Sequence, residues 1–135
     1  MTRRYARELA LQTLYSVEVG HNDPAAVLDA TLDATAESDE RGFVRDLVFG
    51  TLDRAERSDA EISPLLQGWT LERLPILDRI VLRMSFYELD AHPETPAAVV
   101  INEAVELAKK YSTDDSGRFV NGVLANAPGA GRVRS

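Results

Sequence analysis

The chain has 135 residues, of which 44% are hydrophobic and 27% are charged. This balance is typical of a folded globular protein rather than a disordered one. The absence of cysteine excludes disulfides, thiolate metal sites and cysteine nucleophiles. No apolar run approaches the ~20 residues of a membrane span, and the basic start leads into an amphipathic pattern instead of a signal-peptide core. We therefore expect a cytoplasmic protein that makes no membrane contact.

The net charge of −7 comes from one part of the chain. Residues 23–61, the acidic segment, include 11 acidic and 4 basic residues, whereas the two signs balance outside it. Because the two ends of the chain are neutral overall, a surface for a polyanion such as nucleic acid is compatible with this acidic sequence.

The first three predicted helices have apolar residues spaced three and four positions apart. The first helix follows RRYARELALQTLY from Arg3 and ends near Gly20. Asp23 as N-cap and Pro24 as first helical residue predict the second. The third extends over about residues 39–57.

The next two helices differ in character. The SDAE sequence at residues 58–61 predicts a capping box that opens a short helix ending near Gly68. A longer helix is predicted over residues 74–91, with Pro75 in its first turn. Its apolar positions cover a wide arc, which indicates a helix at the centre of the fold.

The C-terminal part of the chain predicts two further helices. Thr-Pro at residues 95–96 begins one, and Thr113 or Ser112 caps the last. We thus expect an all-α protein of about seven helices with no strand. The expected organisation is one domain over residues 1–127 and a disordered tail over residues 128–135.

Catalytic and metal-binding chemistry has little support in the sequence. His21 and His92 lie in predicted loops and have no second ligand at helical spacing. Asp114 and Asp115 are explained more simply as carboxylates at a helix start than as a cation site. There is no glycine-rich phosphate loop. We therefore predict a binding protein with no catalytic residue, no metal and no cofactor.

The arginines that open the first helix are the main candidate for a binding surface, because cations there are unfavourable by roughly 0.3–1 kcal/mol each. At ~3.6 residues per turn, one side of the helix carries Arg4, Arg7, Leu11 and Tyr15, next to the buried stripe but outside it. Guanidinium groups suit phosphate, and the apolar continuation suits a protein partner. The alternative is that Arg3 and Arg4 are frayed terminal residues and that Leu11 and Tyr15 are core residues.

Arg79 and Arg83 form a second basic pair, four residues apart on the largely apolar central helix. They either face a protein partner or pair with carboxylates of the acidic segment. The sequence alone leaves both interpretations open.

A third cluster brackets the turn between the last two helices. Lys110 and Arg118 lie close in sequence to Tyr111 and Phe119, an arrangement that could hold phosphates while aromatic rings stack on unpaired RNA bases. The alternative is a solvated face on which Lys110 pairs with Glu106.

Four segments, in order along nearly the whole chain, resemble the NusB family of transcription antitermination factors. They are RRYARELALQTLY from Arg3, RDLVFG from Arg45, GWTLERLPILDRIVLRMSFYEL from Gly68 and VVINEAVELAKKYSTDDSGRFVNGVL from Val99. The last two are long and unusual in composition, so chance similarity is an inadequate explanation. The resemblance implies an all-helical fold of two helical subdomains.

The resemblance also implies a function. A NusB-like protein would act with NusE, a small-subunit ribosomal protein, to bind boxA RNA. The pair would join the RNA polymerase antitermination complex and promote read-through, chiefly in ribosomal RNA operons, without catalysis.

Matching the family motifs position by position gives expected roles for individual residues. RNA-binding roles fall to Arg3, Arg4, Arg7 and Asp115, and partner-binding roles fall to Tyr15 and Asp78. Charge and stacking arguments extend the RNA-binding set with Lys110, Arg118 and Phe119. Helical spacing extends the partner-binding set with Leu11, and the basic pair on the central helix extends it with Arg79 and Arg83.

Two alternative functions remain open at this point. One is an RNA-binding accessory domain related to the NusB-like part of ribosomal RNA cytosine methyltransferases, whose catalytic domains use cysteine nucleophiles that this chain lacks. The other is a protein-interaction scaffold in which the chain forms a homodimer that covers the RNA surface.

Overall fold

The computed structural model describes residues 1–35 and 39–131, and these ranges contain helices and no strand. The seven α-helices are α1 (Arg3–Gly20), α2 (Pro24–Asp33), α3 (Arg41–Asp53), α4 (Ala55–Ile62), α5 (Ile76–Ala91), α6 (Ala97–Tyr111) and α7 (Asp114–Leu124). Two short 3-10 helices, Ser63–Leu65 and Leu71–Arg73, lie between α4 and α5. The predicted all-α class is confirmed. None of the helices in the described ranges is both long and apolar enough to cross a membrane.

The first of two compact units, Met1–Asp53, contains α1, α2 and α3. α1 packs against both other helices, and α2 also contacts α3. The buried apolar side chains of this unit include Leu9, Leu14, Leu28 and Leu47. Each contributes about 1.5–3 kcal/mol relative to an exposed position.

Short polar residues set the ends of α1 and α2. Thr2 is the N-cap of α1, and its Oγ1 accepts a hydrogen bond from the backbone N–H of Tyr5 at 3.0 Å. His21, with a left-handed φ of 53°, ends the same helix. Asp23 caps α2 as predicted, accepting from the N–H of Ala26 at 3.1 Å.

The second unit begins at Arg54 and contains α4 to α7. α5 contacts α4, α6 and α7, and the most extensive helix contact is between α6 and α7. Ile80, Leu82, Met84, Phe86 and Leu89 of α5 are all buried. This helix therefore forms the centre of its unit, as its wide apolar arc predicts.

The boundary between α3 and α4 differs from the prediction. α4 begins three residues before Ser58, which is buried inside the helix instead of capping it. The Ser58 Oγ accepts a hydrogen bond from Arg54 at 2.9 Å, and the same guanidinium contacts Glu61 at 2.8 Å and Asp90 at 3.2 Å. The predicted capping box at residues 58–61 is therefore wrong, because Arg54 links α4 to α5 through contacts distant in sequence.

The C-terminal helix begins where predicted. Thr113 is the N-cap of α7, and its Oγ1 accepts from the N–H of Ser116 at 3.0 Å. Beyond α7, residues 128–131 form turns, whereas residues 132–135 lie outside the described residues. The predicted domain over residues 1–127 and the disorder of the tail stay predictions.

Alanine substitutions at Gly68 and Gly122 test how the backbone conformation decides the effect of an added Cβ on stability. Gly68 has a φ of 78°, whereas Gly122 lies in α7 with open space around the position of an added Cβ. We predict that Gly68→Ala lowers the free energy of unfolding by about 1–2 kcal/mol. Gly122→Ala should raise it by about 0.4–1 kcal/mol. Urea unfolding of both variants checks these signs, and destabilisation of both to the same degree would contradict the assignment.

Candidate nucleic-acid interface

The arginine end of α1, formed by Arg3, Arg4 and Arg7, is the first candidate surface. The Nε of Arg3 lies 3.0 Å from a carboxylate oxygen of Glu40, and its guanidinium carbon lies 4.0 Å from the ring centroid of Phe43. The carboxylate and the aromatic face both attract a cation. These two contacts offset the penalty of placing Arg3 at a helix N-terminus.

Arg7 lies deeper than the sequence predicts. It is 6% exposed, and its guanidinium carbon lies 5.4 Å from the same Phe43 ring centroid. Leu11 is 1% exposed. The prediction that these two residues lie outside the buried stripe is wrong, because α1 packs against two helices and buries a wider arc than one stripe. Their RNA-binding and partner-binding roles stay predictions, and their burial weighs against direct contact.

The other two residues on this side of α1 are accessible. Arg4 is exposed, and Tyr15 is 40% exposed. Val19, one turn after Tyr15, is 48% exposed. The interpretation of Leu11 as a core residue is thus confirmed, whereas the same interpretation of Tyr15 is wrong. Tyr15 and Val19 form the exposed apolar patch of α1.

A terminal ion pair lies beside the arginine end. The amino group of Met1 donates to both carboxylate oxygens of Asp39, at 2.8 and 2.9 Å. This hydrogen bonding, together with a backbone hydrogen bond, lowers the pKa of the Asp39 carboxyl below its usual value. Asp39 and Glu40 therefore both attract the N-terminal end of α1 toward the residues that precede α3.

The second candidate surface is a pocket of about 260 Å³ in the second unit. The segment before α5 contributes Trp69, Leu74 and Pro75, α5 contributes Asp78, and the start of α7 contributes Thr113, Asp115, Ser116 and Phe119. Three predicted site residues, Asp78, Asp115 and Phe119, thus line one pocket although up to 41 residues separate them in sequence.

Asp78 forms a buried wall of this pocket. It is 4% exposed, and its Oδ2 accepts a hydrogen bond from the Ser116 hydroxyl at 2.9 Å. Its Oδ1 is buried and has no hydrogen-bond partner among the described residues. The burial of Asp78 weighs against direct contact with a protein partner, because Ser116 on the buried side of α7 holds the carboxylate inside. Its partner-binding role stays a prediction.

The polar rim of the pocket lies at the start of α7. Asp115 is in the first helical turn and forms an ion pair with Arg118, and both side chains are exposed. The position of Asp115 near a helix N-terminus favours its negative charge. Phe119, which follows Arg118, is half-buried.

Lys110 lies at the end of α6. It is exposed, and its Nζ lies 5.5 Å from the ring centroid of Tyr111. Its neighbour Lys109 contacts Glu106 at 3.9 Å. Both lysines therefore belong to an exposed basic stretch at the end of this helix, and the RNA-binding role of Lys110 stays a prediction.

The central arginines make contacts within the second unit. Arg83 donates two hydrogen bonds of 2.7 Å to the carboxylate of Asp59, which belongs to the acidic segment. The interpretation of Arg83 as a partner of that segment is confirmed. Arg79 is half-buried and donates to the carbonyl oxygen of Leu71 at 3.4 Å. The partner-binding roles of both arginines stay predictions.

Trp69 is the pocket residue that the sequence interpretation did not single out. It is the only tryptophan of the chain and is 57% exposed. The available signal was a lone aromatic residue in the polar loop that follows Gly68. Among the described residues, no group of three or more His, Cys, Asp or Glu side chains could hold a metal ion.

Comparisons with known proteins match nearly the whole chain. The NusB family model matches residues 4–128. The transcription antitermination protein NusB of Bacillus pumilus is 43% identical over 126 residues, which cover 93% of this chain and 94% of that protein. The solved structure of T. maritima NusB has a TM-score of 0.88 at 34% identity and covers 100% of this chain and 94% of its own.

A further similar structure is a complex. It is a crystal structure of the antitermination factors NusB and NusE with double-stranded RNA, and its matching chain has a TM-score of 0.83 at 27% identity. The match covers 91% of this chain and 92% of that chain.

Arg4 and Arg7 should respond differently to truncation. We predict that Arg7→Ala lowers the free energy of unfolding by about 1–2 kcal/mol, because its buried guanidinium packs near the Phe43 ring. Arg4→Ala, at an exposed position, should change it by no more than about 0.5 kcal/mol. Urea unfolding measures both values. Equal losses in the two variants would contradict the assigned burial.

The pKa of Asp39 provides a test of the terminal ion pair. Because this pKa is lowered in the folded state, the pair stabilises the fold above the unfolded-state pKa, and its contribution is lost as the pH falls through the folded-state pKa. Acetylation of the amino terminus should raise the pKa of Asp39, as followed by NMR of its carboxyl carbon. In the Asp39→Asn variant, acetylation should leave the pH dependence of unfolding unchanged.

Proposed function

This chain belongs to the NusB family, and on that premise we propose that it is a transcription antitermination factor that binds boxA RNA together with NusE. With NusE, a small-subunit ribosomal protein, it joins the RNA polymerase antitermination complex. The pair promotes read-through, chiefly in ribosomal RNA operons. The observation that carries this proposal is the 43% identity to an antitermination protein over 93% of the chain.

The arginine end of α1 supports an RNA-binding role. The Arg3 side chain is 47% exposed although Glu40 and Phe43 both contact it. A guanidinium that is already oriented loses less conformational entropy when it meets a phosphate. Arg4 is exposed on the same helical turn. We assign Arg3 and Arg4 to the RNA phosphates.

The exposed apolar patch of α1 supports a protein partner. Tyr15 and Val19 are one helical turn apart, so their side chains lie on the same face. Tyrosine is enriched in protein interfaces because it offers apolar area together with a hydroxyl. The related complex of NusB with NusE and RNA supports NusE as the occupant. We assign Tyr15 to that contact.

The proposed role is binding without catalysis, in the cytoplasm where transcription takes place. The related proteins are described as antitermination proteins, which supports this role over an RNA-methyltransferase accessory domain. A methyl-transfer assay with ribosomal RNA should show no product. Methyl transfer by the purified chain would contradict this part of the proposal.

A homodimer that covers the RNA surface is the competing use of this chain. Native mass spectrometry of the chain alone, with NusE, and with NusE and boxA RNA separates the two uses. The proposal expects one complex containing one copy of each protein and one RNA. A stable homodimer that ignores both ligands would favour the scaffold function instead.

Salt dependence tests the phosphate contacts. We predict that Arg4→Ala weakens boxA binding and lowers the slope of log K against log salt by about 0.7, the value for one lost contact on single-stranded RNA. Fluorescence anisotropy of labelled boxA RNA in the presence of NusE, over a series of salt concentrations, measures both quantities.

Arg57→Ala is the matched control, because Arg57 is an arginine with a 65% exposed side chain in the acidic segment. It should bind boxA RNA with the affinity and the salt slope of the original chain. If both variants lower the slope of log K against log salt by the same amount, RNA does not bind preferentially at the arginine end of α1.

A further inference from the structure

Trp69 is placed for contact with a ligand. The left-handed φ of Gly68 turns the backbone immediately before it, and the indole is 57% exposed between the two 3-10 helices. Trp69 and Phe119 both line the pocket of about 260 Å³ that Asp78 walls, which we call the Asp78 pocket. The same two aromatic residues also line a neighbouring pocket of about 290 Å³, which we call the side pocket. The Asp78 pocket is thus lined by two aromatic rings, one from the loop before α5 and one from helix α7.

The polar groups of the Asp78 pocket favour a nucleobase over an apolar side chain of a protein. Asp78 is only 4% exposed, and its Oδ1 accepts no hydrogen bond from the described residues. A buried acceptor without a partner costs about 1–3 kcal/mol. The N–H groups on the edge of a base are donors, and its flat face stacks on aromatic rings. An aliphatic side chain offers neither property.

Cations lie beside these aromatic residues. Arg118 lines the side pocket with Trp69 and Phe119, and it also lines a groove of about 440 Å³ with Lys109. The groove depends on Gly117, because a Cβ at this position would lie 2.5 Å from the Lys109 Cγ. The small residue lets the lysine side chain lie against α7. Lys109 and Arg118 therefore place two positive groups along this groove, which Asp114 also lines. Cations next to stacking rings suit a single strand of nucleic acid.

We infer that Trp69 and Phe119 stack on one unpaired RNA base that enters the Asp78 pocket, while Arg118 contacts the adjacent backbone phosphate. The inference rests on the proposed function, since it places part of the same RNA. It adds Trp69 as an RNA-binding residue, and it assigns to Asp78 a place beside the bound base instead of in a protein interface.

Tryptophan fluorescence tests the stacking directly, because Trp69 is the only tryptophan of the chain. Single-stranded boxA RNA should quench its emission. The midpoint of this quenching titration should match the midpoint of binding measured by the anisotropy of labelled RNA. In a series of RNAs with one abasic site each, one position should remove most of the quenching. NusE is added in a separate titration without RNA.

Two variants separate stacking from folding. Trp69→Ala should weaken RNA binding by roughly tenfold or more, the effect expected for one lost stacking contact. Trp69→Phe, which keeps an aromatic face, should retain most of the affinity. Because neither change removes a charge, the salt slope should stay that of the original chain. Far-UV circular dichroism checks that both variants are folded.

The outcomes distinguish this inference from the proposed function. Suppose that RNA binds with the expected salt slope, leaves the Trp69 emission of the original chain unchanged, and binds Trp69→Ala with the same affinity. The stacking is then wrong, and the proposed function stands. If NusE alone quenches the emission, the pocket belongs to the protein partner and the inference is overturned. If RNA does not bind at all, both proposals fail.

Discussion

A buried hydrogen bond from Ser116 to Asp78 joins α7 to α5, and the Asp78 pocket depends on it. A carboxylate that is 4% exposed needs donors, since burial without them costs several kcal/mol. Ser116 provides a donor for Oδ2, and its own backbone N–H donates to the Thr113 hydroxyl. One residue therefore fixes both the first turn of α7 and the packing of that turn on α5. Phe119 follows three residues later, so its ring enters the pocket wall from the same fixed turn.

The arginine end of α1 depends on a different compensation. Three arginines at a helix N-terminus oppose the helix dipole, and the net charge of the chain does not explain how they are tolerated. For two of them, contacts with residues at the start of α3 explain it, because Arg3 contacts Glu40 and Phe43 and Arg7 lies near the same Phe43 ring. Glu40 belongs to the acidic segment. Part of the acidity that argues against a nucleic-acid surface thus holds the cation that the proposed function assigns to an RNA phosphate.

The two units offer different chemistry to a ligand. The first presents exposed arginines and an apolar patch on α1, whereas the second presents aromatic rings, a buried acceptor and the cations of α6 and α7. Phosphate contacts give affinity that salt weakens, and base contacts give selectivity. An antitermination factor that must find one element in a nascent transcript needs both.

The sequence by itself determined the helical class, the caps at Asp23 and Thr113 and the family, because periodicity, capping and motif order are local or linear properties. Pairing with the acidic segment was one of two interpretations that the sequence left open for Arg83, and the sequence did not identify Asp59 as the partner. Only the tertiary structure decided that Arg7, Leu11 and Asp78 are buried. The same holds for the meeting of Trp69 with Phe119 in one pocket. Helical spacing gives the direction of a side chain around its own axis, whereas burial depends on how many neighbouring helices cover that direction.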